Sequence, residues 1–178
     1  MRVAVLGYGV DGASATGYWH KLGADVTVCD EKSDLLLPDY VDSHLGEEYL
    51  ANLDVFDVIV RSPGIRPDRI TAANPDAPNI LDKVTTAINE FFAHCPAPII
   101  GVTGTKGKGT TSTLIYKMLE QAGKKVFLGG NIGTVPLDFL HEVTEDSWVV
   151  LELSSFQLID FKYAPKIGVC VMVVPEHL

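Results

Sequence analysis

Residues 98–122 constrain this chain more than any other stretch: the apolar strand PIIGVTG runs into the glycine-rich turn GTKGKGTT and then into a helical pattern. Gly104, Gly107 and Gly109 let the backbone wrap closely and aim its N–H groups at one centre, where the positive end of the following helix also points. Lys108 adds a full cation at the same place. Strand, turn and helix in this order form a phosphate-binding loop, read here as residues Gly104, Thr105, Lys106, Gly107, Lys108, Gly109, Thr110 and Thr111 holding ATP and Mg2+. The spacing is tighter than G-x-x-x-x-G-K-[ST], and Gly109 stands where the magnesium-binding hydroxyl is usual. Thr110 or Thr111 is left to supply that oxygen.

The same alternation of strand and helix runs through the first half. RVAVL (2–6), a helix from about Gly12 to Leu22 and DVTVC (25–29) form a βαβ unit, with Ala15, Tyr18, Trp19 and Leu22 spaced to share one buried face. A third strand is predicted at 55–60, a short one at Asn79 to Leu81, and a helix from Lys83 to Cys95. Pro96-Ala97-Pro98 cannot continue that helix, which sets the expected domain boundary: 1–96 a Rossmann-like α/β domain, 97–178 a P-loop-type parallel-sheet domain. In the second domain a helix over Thr110 to Ala122 is expected to bury Leu114, Ile115, Met118, Leu119 and Ala122, with Gly123 as its left-handed cap. KVFLG, WVVLEL and IGVCVMVV read as parallel strands buried on both faces, the last running to Val174. That strand ends so near Leu178 that the second domain is expected to be incomplete.

Composition narrows the function. A net charge of -9 with no basic stripe argues against a nucleic-acid partner, and no apolar run approaches the roughly 20 residues that span a bilayer. Cys29, Cys95 and Cys170 form no C-x-x-C pair, which fits a reducing cytoplasm. No signal peptide is expected at MRVAVLGYGVDG, which Gly7, Gly9 and Asp11 interrupt.

Three further groups carry candidate chemistry. Gly7-Tyr8-Gly9-Val10-Asp11-Gly12 is a literal G-x-G-x-x-G between a strand and a helix, with Asp30 at the end of the next strand to reach a ribose hydroxyl. This geometry serves NAD, a UDP-sugar or a vestigial site equally well. Glu152 closes the apolar strand WVVLEL at the edge where ligands bind in open α/β sheets, which suits magnesium, and His177 follows a later strand in the same way. In the loop Gly129-Gly130-Asn131-Ile132-Gly133 the Asn131 amide is a candidate substrate contact.

With these residues assembled the chain resembles the Mur ligases along its whole length. TGTKGKGTT looks like the family's ATP loop, GGNIG its substrate asparagine loop, SPGI (62–65) its uracil-side loop and VPEHL (174–178) its histidine segment. LELSSFQL is similar to the segment that marks the D-glutamate-adding member. Gly109 departs from the family's Ser or Thr and looks like folylpolyglutamate synthases, which lack the Rossmann-like domain; Val174 and Pro175 also depart from the pattern. The resemblance implies an ATP-driven ligase in peptidoglycan precursor synthesis that activates UDP-MurNAc-L-Ala as an acyl phosphate and adds D-glutamate. It implies Lys108, Glu152 and His177 as catalytic, with Thr110, Glu152 and His177 on magnesium. Val10, Asp11, Asp30, Glu31, Ser62, Pro63 and Gly64 are expected at the UDP end, and Asn131, Ser155 and Gln157 at the muramoyl-alanine end. The family's carbamylated lysine and amino-acid site are expected beyond Leu178, so the chain reads as an N-terminal fragment of a protein monomeric at full length. Another Mur or folylpolyglutamate-type ligase, a non-catalytic nucleotide-binding module and an NAD-dependent oxidoreductase are the competing readings.

Overall fold

The computed structural model describes residues 1–175. The chain divides into two compact units, Met1–Ala87 and Ile88–Leu178. Both are parallel α/β sheets.

In the first unit β1 (Arg2–Leu6), β2 (Asp25–Asp30), β3 (Asp42–Leu45), β4 (Val58–Arg61) and β5 (Val84–Thr85) pair in the order β3-β2-β1-β4-β5, all parallel. Helices α1 (Val10–Lys21) and α2 (Pro67–Ala73) follow β1 and β4. Strand order reverses between β1 and β4, the topological switch point of a doubly wound sheet, and loops at the carboxyl ends of those strands are where such folds bind ligands. The register sets Leu6 opposite both Cys29 and Arg61, so the loops that follow leave the sheet side by side. Below them Leu6, Leu53, Ile59, Ile70 and Ile80 pack a core on one sheet face. A polar anchor in that core is Asn74, whose amide accepts from Leu53 N–H at 2.9 Å and donates to the carbonyls of Leu50 (2.8 Å) and Ile70 (2.9 Å). Every polar atom of that buried amide is thereby matched, as burial requires. Burial pushes the Cys29 thiol up to about 12.

In the second unit α3 (Ala87–His94) precedes β6 (Ile99–Gly104), α4 (Lys108–Gln121), β7 (Val126–Gly130), α5 (Pro136–Phe139), β8 (Trp148–Glu152) and β9 (Ile167–Val171). The sheet order is β7-β8-β6-β9, again wholly parallel. The strand that feeds the glycine loop, β6, is therefore interior. Phe91 of α3 packs edge-on against Phe139 of α5, and Asn89 binds Asp160 O (3.1 Å) and Lys162 N (3.1 Å). Those bonds explain why the unit begins inside α3, upstream of the boundary expected at Pro96.

Several local expectations change. The strand expected at Asn79 to Leu81 is instead a 3₁₀ turn over Ile80–Lys83, because Lys83 Nζ reaches the carbonyls of Asp54 (2.7 Å) and Phe56 (2.9 Å) and curls the segment before β5. β3, with the polar sequence DSHL, has no apolar alternation to announce it and exists through backbone pairing with β2. Leu22 is not on the buried face of α1: it is the C-cap, 59% exposed, where Gly23 (φ 79) turns the chain. On α4 the inward stripe is buried Ser112 with half-buried Ile115, Tyr116 and Leu119, rotated from the one expected, and Leu114, Met118 and Ala122 stay exposed. β9 ends at Val171, not Val174, and much of it is solvent-exposed rather than covered on both faces. Among the described residues no helix is long and apolar enough to cross a membrane.

Candidate functional site

The second unit's loop is built from its own residues. Gly104 has φ 131, and a Cβ there would lie 1.7 Å from Val171 O, so neither the conformation nor the space admits a side chain. Thr105 ties the loop to the segment after β9: its N–H donates to Met172 O at 2.7 Å, and its hydroxyl donates to Val174 O and accepts from Val174 N–H, both at 3.1 Å. Gly107, at φ 87, turns the chain into α4. Lys108 then folds back over the turn, its ammonium donating to Gly104 O at 2.9 Å and Thr105 O at 3.0 Å. Two of its three protons are engaged within the loop, and the third remains for an anion. Ser112, buried one turn on, donates to Lys108 O at 2.9 Å and stiffens the backbone carrying that lysine. Thr110 is exposed and Thr111 half-buried in the same first turn, while Lys106 is exposed.

Glu152 ends β8 only 4% exposed. Its Oε2 lies 3.2 Å from where a Gly109 Cβ would sit, so the missing side chain at 109 admits the carboxylate to the first turn of α4. Asn131 approaches from the end of β7, its Nδ2 at 3.4 Å from Glu152 Oε1, while its N–H donates to Glu152 O at 2.9 Å. The structure thus gathers Gly104, Lys108, Gly109, Asn131 and Glu152 at the carboxyl edge of one sheet. Past β8 the motif residues part: Ser155 is exposed, whereas Gln157 is buried and accepts from Ser154 N–H at 2.9 Å to close its own turn. His177 lies outside the described residues, and among those described no group of three His, Cys, Asp or Glu side chains is placed to hold a metal.

The first unit's loop is closed by residues from elsewhere. A Cβ on Gly12 would lie 1.9 Å from Gly7 O, which brings α1 hard against the loop. Gly9 by contrast has an extended φ of -80 and nothing within 4 Å of a Cβ. Asp30 accepts from Tyr8 N–H (2.7 Å) and Lys32 N–H (2.9 Å), so its carboxylate shapes the loop as well as facing it. Ser62 donates to Gly7 O at 3.0 Å. Val10 is exposed at the start of α1, Asp11 is in its first turn, Glu31 is exposed beyond β2, and Pro63 and Gly64 form the turn after β4. Arg61 and Ser112 were not among the residues expected here. Arg61 could have been found as the lone charge at the end of an apolar strand; Ser112 carried no signal.

Two parallel α/β units, each with a glycine loop at a strand's carboxyl end, belong to the class of open α/β folds that receive ligands at that edge, and the chain belongs to the Mur ligases. Residues 1–80 match the Mur ligase MurD-like N-terminal domain and residues 102–178 the Mur ligase middle domain. It is 42% identical to a UDP-N-acetylmuramoylalanine--D-glutamate ligase of Acetivibrio thermocellus and 41% identical to that of Ruminiclostridium cellulolyticum, over 99% of this chain in each case. It spans 39% of the length of each of these relatives. A crystal structure of the UDP-N-acetylmuramate:L-alanyl-gamma-D-glutamyl-meso-diaminopimelate ligase of Neisseria meningitides shares the fold, with TM-score 0.55 and 19% identity, over 99% of this chain and 61% of that one.

Proposed function

We propose that the protein is an ATP-dependent ligase that adds D-glutamate to UDP-N-acetylmuramoyl-L-alanine, in the cytoplasmic synthesis of peptidoglycan precursors. The observation that carries this reading is the approach of the buried Glu152 to Gly109, next to Lys108 in the first turn of α4, in a chain about 40% identical to such ligases throughout. The γ-phosphoryl group passes from ATP to the L-alanyl carboxylate, leaving ADP and an acyl phosphate. The D-glutamate amine then attacks the acyl carbon, phosphate departs, and the amine loses a proton.

A carboxylate brought up to a triphosphate sets two anions against each other. The Lys108 ammonium, held over the loop, and the N–H groups of the α4 N-terminus would meet that charge and stabilise it on the transferring group. Magnesium fits the donors present: Glu152 is a hard carboxylate oxygen at the first turn of α4, and Thr110, with His177, would complete the set. Bound there, the ion would neutralise charge on the β- and γ-phosphate oxygens. In the first unit Val10, Asp11, Asp30, Glu31, Ser62, Pro63 and Gly64 surround the switch point and would take the UDP end. Asn131, Ser155 and Gln157 are assigned to the muramoyl-alanine end, Gln157 by fixing its turn.

Isothermal titration with UDP-MurNAc-L-Ala, with ATP plus magnesium, and with NAD tests the reading. Saturable heats with the first two and none with NAD are expected. Binding of NAD alone would transfer the first unit to a dinucleotide enzyme and end the ligase assignment.

A further inference from the structure

The first unit contains a buried charge that the mechanism above does not use. Arg61 ends β4, an otherwise apolar strand, and is 1% exposed. An arginine cannot lose its charge in a protein, so burial is tolerated only where its N–H groups find acceptors. Here Nη1 donates to the carbonyls of Ser62 (3.1 Å), Pro63 (3.2 Å) and Ile65 (2.8 Å). Three of the four residues of the Ser62–Ile65 turn are thus drawn onto one nitrogen. The turn has few other ties: Ser62 N–H donates to Leu6 O at 3.0 Å, Ile65 N–H to Ser62 O at 3.0 Å, and Ser62 Oγ to Gly7 O.

The location gives that grip a consequence. β4 and β1 flank the switch point, and a small cavity between them is lined by Val5, Asp11, Gly12, Arg61 and Ser62. At the tip of the turn Gly64 is exposed, and a Cβ there would meet nothing within 4 Å. A core-filling role alone would be served by an apolar side chain, as Ile59 and Val60 serve the same strand. The guanidinium adds what those side chains lack, N–H donors that hold the inward-facing carbonyls of the turn.

We infer that Arg61 is a positioning residue for the uridine-diphosphate end of the substrate: by gathering the carbonyls of Ser62, Pro63 and Ile65 it holds the Ser62–Ile65 turn against the Gly7 loop in the form that accepts the ligand. This rests on the proposed UDP-sugar site. Arg61 touches the turn, not the substrate, so its loss acts on affinity through the turn's geometry.

The test is titration of the full chain with UDP and with UDP-MurNAc-L-Ala, with ATP plus magnesium and a thermal melt as controls, for wild type, Arg61→Met and Arg61→Lys. Arg61→Met, which fills the space without donors, is expected to melt cooperatively, lose at least about tenfold in affinity for both UDP ligands and keep its ATP affinity. Arg61→Lys, which keeps a charged donor, should recover most of the loss. Wild-type UDP affinity in Arg61→Met overturns the inference. Should Arg61→Met fail to fold, Arg61→Gln replaces it under the same criterion, and failure of both to fold assigns Arg61 to the core and overturns the inference too. If wild type binds ATP but neither UDP ligand, the substrate reading itself is what fails, and the inference falls with it.

Discussion

The two glycine loops of this molecule look alike in sequence and differ in construction. The loop between β6 and α4 is crowned by its own lysine, since Lys108 reaches back three and four residues to Thr105 and Gly104. The loop between β1 and α1 contains no cation; Asp30 of β2 and Ser62 of the turn after β4 hold it across 22 and 55 residues of sequence. A locally closed loop carries its electrostatics wherever a strand and helix present it. One closed at long range depends on the register of a whole sheet and can be detuned from any neighbouring strand.

The largest expected effect separates the two loops directly. In the full-length enzyme Lys108→Ala should lower turnover by about three orders of magnitude or more while UDP-substrate affinity is retained. Steady-state rates within a few-fold of wild type would show that the second loop's cation is dispensable. Glycine substitutions come next. Gly104→Ala forces a Cβ to within 1.7 Å of Val171 O at φ 131, and chemical denaturation should register a loss of about 3 kcal/mol or more. Gly9→Ala has open space and an ordinary φ, so the same experiment should show a change of less than about 0.5 kcal/mol, although UDP affinity falls. If Gly9→Ala proves the more damaging to stability, the picture of that loop is wrong.

Asp30→Asn probes the long-range closure: weakening the 2.7 Å bond to Tyr8 N–H should cost about 1–2 kcal/mol of stability and leave ATP binding untouched. A matching loss of ATP affinity would count against separate loops. The smallest effect concerns the sheet beneath. Cys29 is buried with its thiol pushed up to about 12 from an ordinary 9.0, whereas Cys170 is exposed on β9. Below pH 9.0 the protonated thiol's contribution is whole, because folded and unfolded chains both keep the proton; it is lost as pH rises from there through 12. Native-state labelling at pH 8 should modify Cys170 readily and Cys29 only on unfolding; equal rates would mean that the first sheet opens as easily as the exposed edge of the second.

How far each region could be read from sequence follows the same division. The β6–α4 loop was legible because its determinants lie within a few residues: glycines where the chain turns, a lysine one helical turn away, an apolar strand before it. The second strand, β1 and α1 were legible through periodicity. β3 was not, since DSHL offers no alternating pattern and is held by backbone bonds to β2. Nor was the orientation of α4, where the apolar residues span too much of the helix for spacing to say whether Leu114 or Ser112 faces the sheet. Arg61 stood in plain view at the end of VIVR, but only the folded chain shows the three carbonyls it holds.

Local chemistry was therefore determined by the sequence itself: two parallel α/β units, a glycine loop that carries Lys108, an acid at the end of β8 and the family to which these belong. Tertiary structure alone decided the strand orders, the approach of Glu152 to Gly109, the inward turn of Gln157 and the grip of Arg61 on the Ser62–Ile65 turn. The physical reason is range. Turns, caps and glycine conformations are settled by atoms a few bonds apart, whereas a buried charge or amide is stable only against acceptors that the folded sheet delivers from distant parts of the chain.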